Sequence, residues 1–440
     1  MNAHPDTHAA RNVAEPAMNL YDEFAWRGMI YHATPEFEGR LAAGKTTAYI
    51  GFDPTAASLH VGSLLPIMAL ARLQKFGHSP IALIGGGTGL IGDPSGKSSE
   101  RPLLTNDKVA ENLAGVQRQL EHFLDFGVKG NPARVVNNLD WLGSIRMVDF
   151  LRDVGKYFTV NYMLARESVK RRLSSEDGLS FTEFTYMLLQ AYDFYVLHQE
   201  YGCEAQMGGS DQWGNILSGT DLIRKLTGEK AHGLVIPLVT NASGTKFGKT
   251  ESGAIWLDPE LTSPFQFYQF WLNTEDQDVD KYLKFFTLLN RTEIEGLADQ
   301  TKAEPHRRQA QHALAEAVTQ MVHGEHELAR AVQASGVLFG GSMKALTVAE
   351  LEDIFEDVPS TEIDKQKFEG EGMGVLDLFV EGSAVASRGE ARRLIQGGGA
   401  YLNNERLTDA KAKATLVNSV DGRLMVLRTG RKRYFLVRIK

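Results

Sequence analysis

The chain has 440 residues, 43% apolar and 23% charged, close to the averages of globular proteins and enough for about two or three domains. Its single cysteine, Cys203, excludes an intrachain disulfide and a cysteine-ligated zinc site, and fits a reducing cytoplasm. A net charge of −8 argues against general affinity for nucleic acid, yet residues 376–440 hold 13 Lys/Arg against 6 Asp/Glu, a balance of +7 that leaves −15 for the first 375.

Residues 1–19 are polar, include His4, Pro5, Asp6 and His8, and lack the apolar core of a secretory signal, so they read as a flexible extension. No run of about 18 apolar residues occurs, which excludes a membrane-spanning helix. Between 20 and 262, β-type runs at 47–52, 80–84, 134–138, 204–207 and 234–239 alternate with helical periodicity at 61–76, 107–126 and 181–200. This is the pattern of an α/β domain in which helices cover a parallel sheet. From 263 to 338 the strand signals vanish and aromatic and charged residues recur at helical spacing, predicting a small all-helical domain. Residues 339–373 mix Gly, Ser, Pro and acidic side chains, the composition of a linker. A basic α+β unit is expected over 374–440, with a helix near 388–396 followed by the turn Gly397-Gly398-Gly399.

Two glycine motifs are set aside. Gly87-Thr88-Gly89-Leu90-Ile91-Gly92 has the spacing of a dinucleotide fingerprint, but Asp93-Pro94 follows where a helix must open. Gly96-Lys97-Ser98 ends like a phosphate-binding P-loop, but Ile91 stands where the first glycine is required.

Three segments carry chemistry. The run Gly51 to Ser63 leaves a strand and enters a helix whose N-terminus is a ready anion site; His60 offers an imidazole and Gly62 a close backbone approach. The plain alternative is that Ser58 caps the helix and His60 is a surface residue. Lys246-Phe247-Gly248-Lys249-Thr250 follows a strand and sets two lysines three apart in a glycine-rich loop, suited to neutralising departing pyrophosphate or else a charged turn. On the helix from Phe181, Tyr186, Gln190 and Asp193 fall at i, i+4 and i+7 on one face of a largely apolar helix. Such a stripe needs partners, which a ligand, neighbouring backbone or water could supply.

These segments, with 85–97 and 208–215 in the same order, resemble the bacterial tyrosyl-tRNA synthetases from about Leu20 to the C-terminus. The resemblance implies a Rossmann-like catalytic domain over 20–262, then the helical domain on the anticodon side, the linker and a small RNA-binding domain. It implies a ligase that activates L-tyrosine with ATP and Mg2+, releasing pyrophosphate, and passes the tyrosyl group to the 3'-terminal adenosine of tRNA(Tyr). It further implies a homodimer, no tightly bound cofactor and no metal held by the protein itself.

By the same resemblance, Tyr49 and Asp193 hold the substrate phenol, Asp93, Tyr186 and Gln190 its ammonium, and Gln206 its carboxylate. Gly51, Asp53, Gly62, Gly209, Asp211 and Gln212 surround ATP together with Lys249, Asp211 lying near the ribose. Thr55, His60, Lys97, Arg101, Lys246, Lys249 and Thr250 gather on the phosphates. Two departures stand out: Ser63 occupies the position where a second histidine is common, and Phe-Gly-Lys-Thr replaces Met-Ser-Lys-Ser.

For tRNA, Arg388, Arg392 and Arg393 share one predicted helix, and Arg431, Lys432 and Arg433 form a second cluster beside Tyr434 and Phe435, rings suited to unpaired bases. This unit resembles the RNA-binding domain that the family shares with a ribosomal small-subunit protein. Competing readings are a tryptophanyl enzyme, whose indole matches an Asp193–Tyr49 pair poorly, and an RNA-binding or regulatory protein on a synthetase scaffold.

Overall fold

The computed structural model describes residues 18–95, 104–174, 178–242, 247–250, 253–356, 358–430 and 433–440, with the side chains of Lys249 and Thr250 excluded. Its largest sheet has six strands: β1 His32–Ala33, β2 Thr47–Phe52, β3 Ser79–Ile84, β4 Arg134–Asn137, β5 Ala205–Gly209 and β6 His232–Ile236. Their order is β1-β6-β5-β2-β3-β4, parallel throughout except for the antiparallel edge strand β1. Chain order reverses between β2 and β5. The helix Leu64–Lys75 carries the chain from β2 outward to β3, and the helix Trp213–Thr227 from β5 outward to β6. Right-handed crossovers running in opposite directions put these helices on opposite faces of the sheet and leave a crevice at the reversal.

The α/β expectation holds, with local differences that have physical reasons. β6 spans 232–236 rather than 234–239, because Pro237 has no N–H to continue the ladder while His232 and Gly233 pair with Ala205 and Gln206. The helix expected over 107–126 is Asn106–Leu120, capped by the Thr105 hydroxyl accepting from Lys108 N at 3.3 Å. The helix Phe181–Tyr201 begins where Ser180 Oγ accepts from Glu183 N at 3.2 Å, and ends at Gly202, whose φ of 60° the absent side chain permits.

By compactness the chain forms two units, residues up to Ala254 with Asp280–Ile294, and Ile255–Val279 with Glu295–Lys440. The stretch 280–294 is bound into the first unit by two arginines. Fully buried Arg72 donates to the carbonyls of Lys284 (3.0 Å), Phe285 (3.0 Å) and Thr287 (2.6 Å), and Arg27 to those of Lys284 (2.8 Å) and Leu289 (2.7 Å). The helix Asp276–Phe286 thus ends on two cations, where its orphan carbonyls and dipole favour them.

In the second unit, the helices Pro264–Leu272 and Gln309–Val337 pack together, the latter kinked at Gly324 (φ 85°). A five-stranded sheet follows, in the order Glu405–Arg406, Ala400–Leu402, Leu424–Thr429, Arg433–Ile439, Ser360–Ile363. Its central strands, Leu424–Thr429 and Arg433–Ile439, are covered on both faces. Met425, Leu427, Val437 and Ile439 pack with the helices Val375–Glu381 and Arg388–Gln396, while Leu424, Val426, Tyr434 and Leu436 meet Ala334, Val337, Leu351 and Phe355. The segment 339–373, expected as a linker from its composition, therefore holds regular structure: the helix Val348–Ile354 covers the sheet and Ser360–Ile363 pairs in parallel with the last strand. Its polar residues lie between apolar anchors that composition averages away.

Candidate active site

At the C-terminal ends of β2 and β5, beside the reversal in strand order, lies a cavity of about 360 Å³. Its lining brings together Tyr49, Gly51 and Asp53 from β2 and the turn after it, Thr55, His60, Gly62 and Ser63 from the helix entry, and Asp93 from the loop after β3. The helix Phe181–Tyr201 adds Tyr186, Gln190 and Asp193, and β5 with its following turn adds Gln206, Gly209, Asp211 and Gln212.

The floor is closed by buried polar groups. Asp193, 2% exposed, accepts from Asn138 Nδ2 at 2.9 Å and from Trp141 Nε1 at 2.7 Å. Burial raises its pKa to about 7, against the lowering effect of those two donors, and the Asp53 carboxylate pushes the same way as burial. Tyr49, 1% exposed, has a buried hydroxyl with no hydrogen-bond partner. Its pKa stands well above 10, through burial first and then Asp193 and Cys203, so the phenol keeps its proton. Gln206 Oε1, also buried, is unpartnered as well. Orphaned buried polar atoms are costly, and here they line a cavity.

One wall is a hydrogen-bonded chain. Asp53 accepts from Thr88 Oγ1 at 2.8 Å and from the Tyr186 hydroxyl at 2.9 Å, and Thr88 Oγ1 accepts from Asn138 Nδ2 at 2.9 Å. Asp93 accepts from Gln212 Nε2 at 2.7 Å and from Ser95 N at 2.8 Å. Gln190 Nε2 donates to Gln212 Oε1 at 3.2 Å, and Asn215 Nδ2 donates to Gln190 Oε1 at 3.0 Å. A side chain on Gly85 would sit 2.1 Å from Asp53 Oδ1, so only glycine lets the Asp53–Thr88 contact form.

At the mouth, His60 Nδ1 accepts from Gly62 N at 2.9 Å, fixing the ring at the helix entry. Lys249 and Thr250 pair as a short strand with Gly253–Ala254, and their side chains are not described. Lys97, Arg101 and Lys246 lie outside the described residues.

Asn138, Trp141, Thr88, Ser95 and Asn215 also take part in this network; Thr88, Ser95 and Asn215 lie in the segments 85–97 and 208–215 that carry the resemblance, but none of the five has a role expected from sequence. Thr88 lies inside the glycine motif 87–92, and Asn138 closes the strand predicted at 134–138. Nothing local marks Trp141, because its partner is 52 residues away.

On the C-terminal unit, Arg392, Arg393 and Arg433 are exposed, and Arg388 pairs with Asp377 at 3.0 Å. Arg431 and Lys432 lie outside the described residues. Tyr434 and Phe435 do not face solvent as base-stacking rings: Tyr434 is buried, its hydroxyl donating to Val337 O and Leu338 O at 3.2 Å, and Phe435 packs against the other core. Neighbours on a strand point to opposite faces, and in this sheet both faces are covered.

Residues 41–340 match the family model of class I tRNA synthetases (W and Y), and residues 350–437 that of the tyrosine–tRNA ligase SYY-like C-terminal domain. The chain is 56% identical over 420 residues to a tyrosine–tRNA ligase of Roseiflexus castenholzii, spanning 96% of this chain and 99% of that protein. It is 52% identical over 424 residues to that of Bacillus caldotenax, spanning 96% and 100%. Among solved structures, the C-terminally truncated mitochondrial tyrosyl-tRNA synthetase of Aspergillus nidulans superposes with a TM-score of 0.67 at 34% identity, over 73% of this chain and 94% of that one.

Proposed function

Because the chain belongs to the tyrosine–tRNA ligases of class I, we propose that its cavity joins L-tyrosine to AMP at the expense of ATP and passes the tyrosyl group to tRNA(Tyr). The observation that carries this reading is the Tyr49 hydroxyl, buried without a partner at the end of the cavity where Asp193 is also buried. A phenol bound there accepts from Tyr49 and donates to Asp193, satisfying a donor and an acceptor at once.

Asp93, Tyr186 and Gln190 receive the substrate ammonium, and Gln206 orients its carboxylate, which attacks the α-phosphate in line as the bond to the β-phosphate breaks and pyrophosphate leaves. ATP lies over Gly51, Asp53, Gly62, Gly209 and Gln212, with Asp211 at the ribose. Thr55, His60, Lys97, Arg101, Lys246, Lys249 and Thr250 stabilise the charge that develops on the phosphates. Ser63 lines the same cavity and contributes a neutral hydroxyl where a histidine is common. Magnesium would come with ATP, its ligands chiefly phosphate oxygens and water; among the described residues no group of three or more His, Cys, Asp or Glu could hold an ion by itself.

The exposed arginines of the C-terminal unit, Arg388, Arg392, Arg393 and Arg433, together with Arg431 and Lys432, take tRNA phosphates. Met147, Val148, Leu151, Val160 and Leu164 are exposed apolar side chains close together in sequence, which supports a homodimer through this surface. Among the described residues no helix is long and apolar enough to cross a membrane, and the cytoplasm is the compartment we propose. The test is exchange of pyrophosphate into ATP with each of the twenty amino acids and no tRNA. Tyrosine alone should drive it efficiently; exchange driven best by another amino acid, or none, contradicts the proposal.

A further inference from the structure

Between the lysines of the segment 246–250, proposed to act on the phosphates, stands one aromatic residue, Phe247. Phe247 is 7% exposed. Its ring lies parallel to that of Phe286, with centroids 5.2 Å apart and 14° between planes, and meets Tyr282 edge-on at 4.9 Å. Both partners belong to the helix end that buried Arg72 holds by its carbonyls. The same helix grips the chain on the other side of the loop, for Lys281 Nζ donates to Thr240 O at 2.8 Å and the Tyr282 hydroxyl does so at 3.4 Å. Phe247 N in turn donates to Val239 O at 3.3 Å.

Next to this plug, Gly248 has φ +80°, and a Cβ on it would lie 2.6 Å from Val61 Cγ2 and 3.5 Å from Gly62 N. The backbone therefore passes directly over the turn whose entry His60 fixes. Phe247 and Gly248 together determine where the backbone of Lys249 emerges relative to the phosphate side of the cavity.

We propose that Phe247 is a positioning residue for adenylate formation, its ring clamped by Tyr282 and Phe286 so that Gly248 seats on Val61–Gly62 and Lys249 starts from one fixed place. This rests on the adenylation reading. Ordering the backbone before ATP arrives removes an entropy cost from the reacting complex, and a misplacement of about 1 Å can cost about 100-fold in rate. Tyrosine, bound deeper in the cavity, needs none of this.

The experiment compares wild type with Phe247→Ala, Phe247→Leu and Phe286→Leu in the full-length protein. Single-turnover adenylate formation, tyrosine Kd by equilibrium dialysis and the thermal midpoint are measured. Phe247→Ala should slow adenylate formation by about 100-fold with tyrosine Kd within about two-fold of wild type, and Phe247→Leu should recover most of the rate. Phe286→Leu, which trims the clamp and keeps an apolar partner, should slow the same step by a smaller factor. Unchanged rates in a folded Phe247→Ala protein, or tyrosine affinity and thermal midpoint falling in parallel with rate in every variant, overturn the proposal. Wild type that forms no tyrosyl-adenylate would instead overturn the adenylation reading itself.

Discussion

In the cavity, Asp53, Asp93, Asp193, Tyr186, Gln190 and Gln212 are bonded to one another or to Thr88, Asn138 and Asn215, in surroundings buried enough to lift the Asp193 pKa to about 7. On the C-terminal unit, Arg392, Arg393 and Arg433 stand in solvent, and Arg388 is paired with Asp377 at the surface. The first arrangement desolvates its polar groups during folding, so a ligand that fails to match them leaves the full cost of an unpaired group. The second leaves its charges hydrated, where they attract phosphates over distance and yield to salt. Selection of a small molecule and capture of a polyanion call for these opposite treatments of charge.

If charge is treated differently in the two regions because their tasks differ, tyrosine activation and tRNA capture should be separable. Removing the chain after Gly341 takes away the C-terminal sheet together with the helix Val348–Ile354 and the strand Ser360–Ile363 that belong to its core, leaving uncovered Ala334, Val337 and their neighbours on the helix Gln309–Val337. Tyrosine-dependent pyrophosphate exchange should survive within about three-fold while aminoacylation falls by at least about 100-fold, with a shallower salt dependence of tRNA binding, because fewer phosphates are neutralised. Equal charging rates for the two proteins would show that the exposed arginines do no capturing.

Next in size, Lys249→Ala should cost about 2–4 kcal/mol of transition-state stabilisation for adenylate formation and leave tyrosine affinity unchanged. Single-turnover kinetics beside equilibrium dialysis separate the two quantities, and a loss of affinity alone would contradict the role.

How far these sites could be read in advance differs between the two regions. The spacing of Tyr186, Gln190 and Asp193 is a local property of one helix, so their common face was legible, as was β2 from its apolar run. The partners of Asp193 come from the turn after β4 and the short helix Leu139–Leu142 that follows it, 55 and 52 residues away, and no local pattern announces such a pairing. The two-residue strand β1 is too short to have a period. In the C-terminal unit, charge counting found the basic helix. It could not foresee that Tyr434 would turn inward to bond Val337 and Leu338, because that depends on the helix Gln309–Val337 ending against its strand.

Proton linkage sharpens the contrast. Asp193 titrates at about 7 in the folded chain and at an ordinary 3.8 in the unfolded one, so between these values the folded state holds a proton that the unfolded state releases. The stabilisation this gives is complete below the lower value and lost as pH rises to the higher. Asp193→Asn should abolish that slope in denaturant titrations. A phenol that donates to this carboxylate, as proposed for tyrosine, favours the ionised form, so binding near pH 6 should release a fraction of a proton, read by calorimetry in buffers of different ionisation enthalpy. Zero release would place the substrate hydroxyl elsewhere.

The smallest expected effect lies on the exposed side of the comparison. Arg388→Gln breaks an ion pair whose arginine side chain is 67% exposed, so the thermal midpoint should hardly move and tRNA affinity should fall only about two- to five-fold at moderate salt. A large drop in stability would mean that this arginine is structural.

Recognition of a phenol by Tyr49 and Asp193, as proposed, is read by the ratio of kcat/KM for tyrosine over phenylalanine in pyrophosphate exchange. Tyr49→Phe and Asp193→Asn should each lower that ratio by about ten- to a hundred-fold, chiefly by reducing activity toward tyrosine, because each removes one partner of the hydroxyl that phenylalanine lacks. If both variants fold, exchange pyrophosphate and keep the wild-type ratio, the phenol is not recognised by this pair and the account is wrong.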